Sequence, residues 1–533
     1  MKTKYFKILS ASVVAAAIAI TSCIKDLDTI PIDPDVVTSA TVYKDVTAYK
    51  QVLAKCYAGL AVSGQQGPHG MADISGIDEG FSQYFRQFWL AQELTTDEAV
   101  IAWNDGTLQN YHAQSWTPSG EFITALYNRI YYQISLCNEY IRESSDGKIS
   151  ERGFSGDDAA TIRIFRSEAR FLRALSYYHA LDLFGNVPFV TEANEVGAFL
   201  PPQTTRAALF SYIETELKAI ETEMVAPTEN EYGRADQAAA WMLLARMYLN
   251  AEVYIDAPKY TECLTYCKKI IASSYTLEPD YSHLFLADNN TTSEIIFPIA
   301  FDGVHTKTWG GTTFLVNAQV GGTMSPADFG IAGGWGGLRT TSAFVDKFSD
   351  ITGATDSRAM FYTSGQTKEI TDILQFTNGY AITKWKNVTS AGLPGSDGTH
   401  PDTDFPVFRL ADAHLMYAEA VVRGGTGGSI NDALTYVNDL RERAYGDDSG
   451  NLASTTDITL DFIIDERARE LYWECTRRTD LIRYGRFSKS TYLWPWKGGV
   501  AAGQSLVNYD FDLFPIPATD IGANPNLVQN DGY

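Results

Sequence analysis

Positive charge is scarce in this chain: 42 Lys and Arg stand against 65 Asp and Glu, a formal charge of -23. Residues 1 to 22 hold three lysines and no acid, so removing them leaves 39 - 65 = -26. A polyanion of that size is repelled by nucleic acid and by anionic headgroups, which excludes nucleic-acid binding as its role. Cysteine is also sparse. Six are scattered over 533 residues, which is no disulfide framework. The pair Cys263 and Cys267 is spaced i, i+4, but no second Cys or His pair nearby completes a metal site, so small buried side chains are expected. Histidine is limited to seven dispersed residues, and no HExxH, GxSxG or Walker sequence occurs. No apolar run is long enough to span a bilayer.

What is abundant is aromatic. Tyr, Phe and Trp make up 13% of the chain, including 30 Tyr and 10 Trp. That richness suits a surface that grips flat apolar faces.

The N-terminus reads as an address. Lys2, Lys4 and Lys7 precede an apolar run from Ile8 to Ile20, and Ile20-Thr21-Ser22-Cys23 resembles a bacterial lipobox. Residues 1–22 are then a lipoprotein signal peptide, and Cys23 is the lipidated first residue of the mature chain. Acyl chains there would hold the protein on a membrane by its lipid anchor alone. The polar, proline-containing stretch 23–40 suits a tether. Its early aspartates resemble surface-export signals of Bacteroidetes lipoproteins.

Helical periodicity dominates much of the remainder, 41–533, which is expected to form a single domain. Phe165, Ala169, Leu172 and Leu175 mark one face of a helix spanning Asp157 to Phe184, with Arg166, Arg170, Arg173 and Glu168 grouped beside it. Gly185 and Pro188 end it. Alternating small and large residues at Ala238, Trp241, Ala245 and Tyr248 let the next helix, Ala235 to Val253, be approached closely. Further helices are expected over Tyr43–Val62, Glu121–Glu143, Arg206–Met224, Pro258–Ser273, Leu410–Val422 and Ile430–Tyr445. A last one is marked by Leu460, Ile464, Ala468, Leu471 and Cys475. Short turns between them suggest stacked tetratricopeptide-like pairs, although no clean 34-residue repeat is visible. The fold expected is mainly α, with a helical scaffold over 41–63, 118–273 and 409–487. A loop-rich, mixed face is expected mainly over 64–117 and 274–408, where Gly, Thr, Asn and aromatics replace helical spacing.

Five long motifs carry a family resemblance. They are EARFLRALSYYHALDLFGNVPF (168–189), GRADQAAAWMLLARMYLNAEVY (233–254), PVFRLADAHLMYAEA (406–420), IIDERARELYWECTRRTDLIRYGRF (463–487) and FPIPATDIGANPNLVQNDGY (514–533). In order and over the whole chain, they resemble the SusD/RagB family of Bacteroidetes outer-membrane lipoproteins that capture glycans. DISGIDEG, ELTTDE, DGVHTKTWGG, HPDTDFP and YLWPWKGG look closest to the family's starch-binding member. The resemblance implies about four tetratricopeptide-like helical pairs and no catalysis. It implies a surface-exposed place on the outer membrane, starch or malto-oligosaccharide as ligand, and a SusC-like TonB-dependent transporter as partner.

It also implies a site. Carried over by position, the family's arc of three aromatics falls on Trp103, Trp309 and Trp335, with Trp309 standing where the family member has Tyr. Aromatic faces stack on the C–H faces of sugar rings, and a curved row of them selects a coiled α-glucan. Arg86 matches an arginine that donates to sugar hydroxyls; a surface ion pair with Glu93 is its bland alternative. The family's asparagine after the first arc residue is not matched, because Gly106 stands there. Asn104 or Asp105 takes its place. Trp494 and Trp496 are assigned to packing. No cofactor is implied. A structural calcium could use Asp288, Asn289, Asn290 and Glu294, but their spacing is not that of an EF-hand, and a solvated loop is the plainer reading. A different glycan, or a surface glycoside hydrolase, are the alternatives; the acidic run Asp465, Glu466, Glu470 and Glu474 is interleaved with arginines and reads as ion pairing.

Overall fold

The computed structural model describes residues 39–533 apart from 195, 196, 198 and 506–508. The signal peptide, Cys23 and the tether up to residue 38 lie outside the described residues. The chain divides after Tyr49 into two units. In the first, described from residue 39, lie the four-residue helix Ser39–Val42 and the opening of α1 (Val46–Ala61). The second, from Lys50 onward, holds everything described below.

The helices of seven residues or more that follow are α2 (Tyr84–Glu93), α3 (Glu121–Glu143), α4 (Gly156–Phe184), α5 (Arg206–Ile220), α6 (Gln237–Leu249), α7 (Tyr260–Ile271), α8 (Gly311–Ala318), α9 (Leu410–Val422), α10 (Ile430–Tyr445), α11 (Leu460–Leu471) and α12 (Arg477–Arg483). Successive helices pack as neighbours: α3 on α4, α4 on α5, α6 on α7, and α9 on both α7 and α10. The fold is mainly helical, built of tetratricopeptide-like pairs. No helix among the described residues is long and apolar enough to cross a membrane.

The stripe on α4 is buried as its spacing demands, with Phe165, Ala169, Leu172 and Leu175 all inside. Its charged side is not left to water. Arg173 donates to Asn138 at 2.7 Å and to Glu216 at 2.9 Å, and Glu168 accepts from Tyr57 and Arg234, so the charges sew α4 to its neighbours. Gly185 ends the helix at φ 71°, a conformation few residues other than glycine tolerate.

Two helices differ from their sequence pattern. The stretch expected to run unbroken from Ala235 to Val253 divides at Asn250 into α6 and a short helix, Ala251–Ile255. The periodicity that points through Cys475 stops at Leu471, because Trp473 and Cys475 adopt φ values of 60° and 63°. A third, α2, falls in the stretch expected to be mainly loops and short elements. Nine of its ten residues are buried, Gln87, Gln92 and Glu93 among them, so its polar side does not face solvent.

The ion pairing expected of the acidic run is realised, with partners mostly far away in sequence. Glu470 pairs with Arg358, Arg409 and Arg443; Glu466 with Arg358, Arg441 and Arg469; Glu474 with Lys384 and Arg409. These glutamates are buried. Several cationic partners hold Glu470 down to about 2 despite its burial.

Four strands serve the site: β1 (Val100–Ile101), β2 (Ile295–Ile299), β3 (Leu338–Arg339) and β4 (Phe405–Arg409). β1 pairs antiparallel with β3, Ile101 opposite Leu338. β2 pairs antiparallel with β4, with a register shift around Phe297.

Candidate functional site

Sequence places Trp103, Trp309 and Trp335 far apart; the fold makes them neighbours. The β1–β3 ladder continues for one bond as Ala102 N–H donates to Gly337 O at 2.9 Å, which sets Trp103 beside the Gly-Gly-Trp-Gly-Gly loop. That loop is fixed to the end of α8. The last helical carbonyls have no partner within the helix, and here the loop supplies their donors. Trp335 N–H reaches Asn317 O and Gly337 N–H reaches Ala318 O, both at 2.8 Å. A Cβ on Gly337 would lie 2.6 Å from Trp103 Cε2, so this glycine is what lets the indole lie against the backbone.

The three rings form one row. Trp103 and Trp335 have centroids 6.2 Å apart at 45°, and Trp335 and Trp309 are 6.0 Å apart at 52°. All three are half-buried, so each is held from behind and open in front. Trp103 Nε1 donates to Trp335 O at 3.2 Å, and Trp309 Nε1 to Pro68 O at 2.8 Å. With both N–H groups satisfied by protein, these two rings offer their faces rather than their edges.

Arg86 packs against the row, 6.0 Å from the Trp103 ring. Its guanidinium donates from one nitrogen to Gly80 O at 3.0 Å and to Trp309 O at 3.2 Å. It stacks 4.6 Å from the Phe314 ring, itself 5.9 Å from Trp103. Burial pulls its pKa down to about 10, against the charges of Asp105 and Asp78, so it stays charged. Glu93 is not its partner. That carboxyl is buried and accepts Cys475 N–H at 2.7 Å. Asn104 and Asp105 are exposed on the loop after Trp103.

Sequence reasoning missed three supports. Gln83 caps α2 with its side-chain oxygen, which accepts from Arg86 N–H at 2.6 Å and from Gly311 N–H at 2.9 Å, just past Trp309. A helix-capping glutamine gives little local signal. His69 and His400 flank Trp309 at 5.4 and 4.9 Å, drawn from segments whose proximity no spacing reveals.

The other singled-out groups are engaged elsewhere. Glu294 is buried and salt-bridged to Arg409 and Arg443. Asn289 is buried too, and its amide bonds to Leu284 and Asp404. Asp288 accepts from Ser390. The segment is therefore partly interior, and its carboxylates are occupied by protein donors. Among the described residues no group of three or more His, Cys, Asp or Glu is placed to hold a metal ion. Cys263 and Cys267 are buried free thiols. Trp494 is buried, and Trp496 donates to Ile370 O at 2.9 Å.

Stacked helix pairs bearing a solvent-facing aromatic row on loops define a helical-repeat scaffold with a surface platform. Comparison with known proteins identifies that class more closely. Residues 358–533 match the model of the SusD family, and residues 74–249 match a model described as starch-binding associating with outer membrane. The chain is 38% identical to the starch-binding protein SusD of Bacteroides thetaiotaomicron, over 100% of both chains. It is 28% identical to SusD-like protein P2 of Formosa agariphila, over 72% of this chain and 77% of that one. Among solved structures, a SusD superfamily protein from Parabacteroides distasonis superposes with a TM-score of 0.71 at 21% identity, covering 93% of this chain and 100% of that one. Surface glycan-binding protein A from Bacteroides thetaiotaomicron, in complex with laminarihexaose, gives 0.69 at 21%, covering 91% and 99%. This chain belongs to the SusD family.

Proposed function

We propose that the protein is a non-catalytic cell-surface receptor for starch-type α-glucan, which it passes to a SusC-like TonB-dependent transporter in the outer membrane. The observation that carries this reading is the row of three half-exposed indoles, spaced about 6 Å apart and turned 45–52° from one to the next. A turning row follows a coiled chain of glucose rings; a flat row would suit an extended one. The full-length likeness to a starch-binding protein supports the same ligand. Arg86 positions Trp309 through its carbonyl and, with Asn104 or Asp105, supplies polar contacts at the sugar edge. Anchoring is through lipidated Cys23, with 23–40 as tether, and 41–533 acts as one binding domain whose ligand face comes from 64–117 and 274–408.

A glycosidase would need two carboxyl groups facing one another across the bond. The glutamates of the acidic run are instead spent on buried ion pairs. Individual glycan affinity is modest, because shallow polar ligands return little net free energy. Calorimetric titration with maltoheptaose, against laminarihexaose and xylan, mannan and levan oligosaccharides, tests the assignment. Selective binding of maltoheptaose, lost on replacing Trp103, Trp309 and Trp335 by Ala, is expected. Preference for another glycan removes the α-glucan assignment, and reducing-sugar release from starch removes the non-catalytic one.

A further inference from the structure

A second concave site lies away from the indole row and shares no residue with it. It is a cavity of about 340 Å³, within the roughly 300–1,000 Å³ range of small-ligand sites, between the 228–236 loop, residues 274–275 and strand β2. Two tyrosines form its aromatic walls. Tyr232 is 47% exposed, yet it is not loose. Its hydroxyl donates to the buried Asp404 carboxyl at 2.5 Å. Tyr275 is half-exposed, with its hydroxyl on Asp236 at 2.7 Å. Both rings are therefore pinned by the hydroxyl, leaving part of each ring open to the cavity.

The floor is apolar, from Ile296 and Pro298. The rim is lined with hydroxyls: Thr228, Ser274, Thr291 and Ser293. Thr228 sits at φ 69°, a costly conformation for a β-branched residue, and is held there by its N–H on Asp236 at 2.8 Å. One carboxylate, Asp236, thus fixes Thr228, Tyr275 and, by accepting Ala239 N–H at 3.1 Å, the start of α6.

Charge decides the ligand class. The cationic side chain at the cavity, Arg234, is engaged by Glu168 at 3.0 Å and by Glu231 at 3.5 Å, so no free cation awaits a phosphate or carboxylate. Asp236 is consumed by its three donors, and Glu231, the other carboxylate lining the cavity, is paired with Lys50 at 2.6 Å and with Arg234. Fixed aromatic faces, an apolar floor and a hydroxyl rim without spare charge match a neutral polyol with an apolar ring face. We infer that this cavity is a second carbohydrate-binding site, sized for one or two sugar residues. It stands independently of the α-glucan reading of the indole row.

Saturation-transfer difference NMR with maltose, cellobiose and laminaribiose tests it, using the full mature chain in a Trp335→Ala background that splits the indole row. Transfer to at least one disaccharide is expected, reduced fivefold or more by Ser274→Trp, which plugs the cavity from its exposed rim. Tyr232→Ala should act likewise, and Tyr232→Phe should keep most of the signal because the ring remains. Circular dichroism checks that each variant is folded, and Ser274→Trp decides alone if Tyr232→Ala is not. No transfer to any of the three sugars, or transfer unaffected by Ser274→Trp, overturns the site.

Discussion

The indole N–H of Trp103 donates to the main-chain carbonyl of Trp335 at 3.2 Å, across 232 residues of sequence. One ring of the row thus holds the backbone that carries the next. Any change that moves Trp103 should be felt at Trp335 as well.

Gly337→Ala gives the mildest test of that coupling. A methyl group 2.6 Å from Trp103 Cε2 cannot be accommodated without shifting the indole. Maltoheptaose binding should weaken by about tenfold, or ~1.4 kcal/mol, while the melting temperature changes little. Titration calorimetry and a thermal melt check the two parts.

Arg86→Lys is expected to fail as a conservative change. One guanidinium nitrogen bridges Gly80 O and Trp309 O while the planar group stacks on Phe314, and an ammonium, which can donate twice from one nitrogen, has no plane to stack there. Affinity should fall about as far for Arg86→Lys as for Arg86→Ala, roughly tenfold. Lysine restoring wild-type binding would show that charge alone suffices.

Glu470→Ala should be among the most damaging changes away from the site. It strips one buried carboxylate from three arginines, Arg358, Arg409 and Arg443. Removing one partner of a buried ion pair costs about 3–5 kcal/mol. Chemical denaturation should show a large drop in midpoint.

Stability should peak in mildly acid solution, and the signs come from two opposed sets of carboxyls. Glu419, Asp412 and Glu470 are held at about 2 by neighbouring arginines, so the stability they add is present above the ordinary carboxylate range and is lost as pH falls toward 2. Burial pushes Asp404 up to about 7, so the native state keeps a proton that the unfolded chain releases near pH 4. Stability therefore declines from about pH 4 toward 7 on its account. Asp404→Asn should flatten that decline in unfolding midpoints measured from pH 4 to 8. A slope unchanged by the substitution would assign the decline to other groups.

Several helices were legible because their signals are local. Glu121–Glu143, Leu410–Val422 and Ile430–Tyr445 run over the residues their periodicity marks. For the last of these, Ser429 caps the start and Gly446 closes the end at φ 78°. α2 is short and sits among loops, and its polar residues Gln87, Gln92 and Glu93 are buried, a placement that only tertiary contacts decide. The break after Leu471 was hidden as well, because Trp473 and Cys475 are forced into left-handed backbone by their surroundings rather than by their own preference.

The amino-acid order alone determined the helical class, the acidic character and, through family motifs, which three tryptophans to watch. Only tertiary structure decided that those rings lie in one open row, that Arg86 serves Trp309 rather than Glu93, and that Glu294 belongs to arginines instead of a metal. The reason is physical. Helical period and caps act over three or four residues, whereas ring contacts and buried ion pairs join side chains tens to hundreds of residues apart, and only the folded backbone fixes who meets whom.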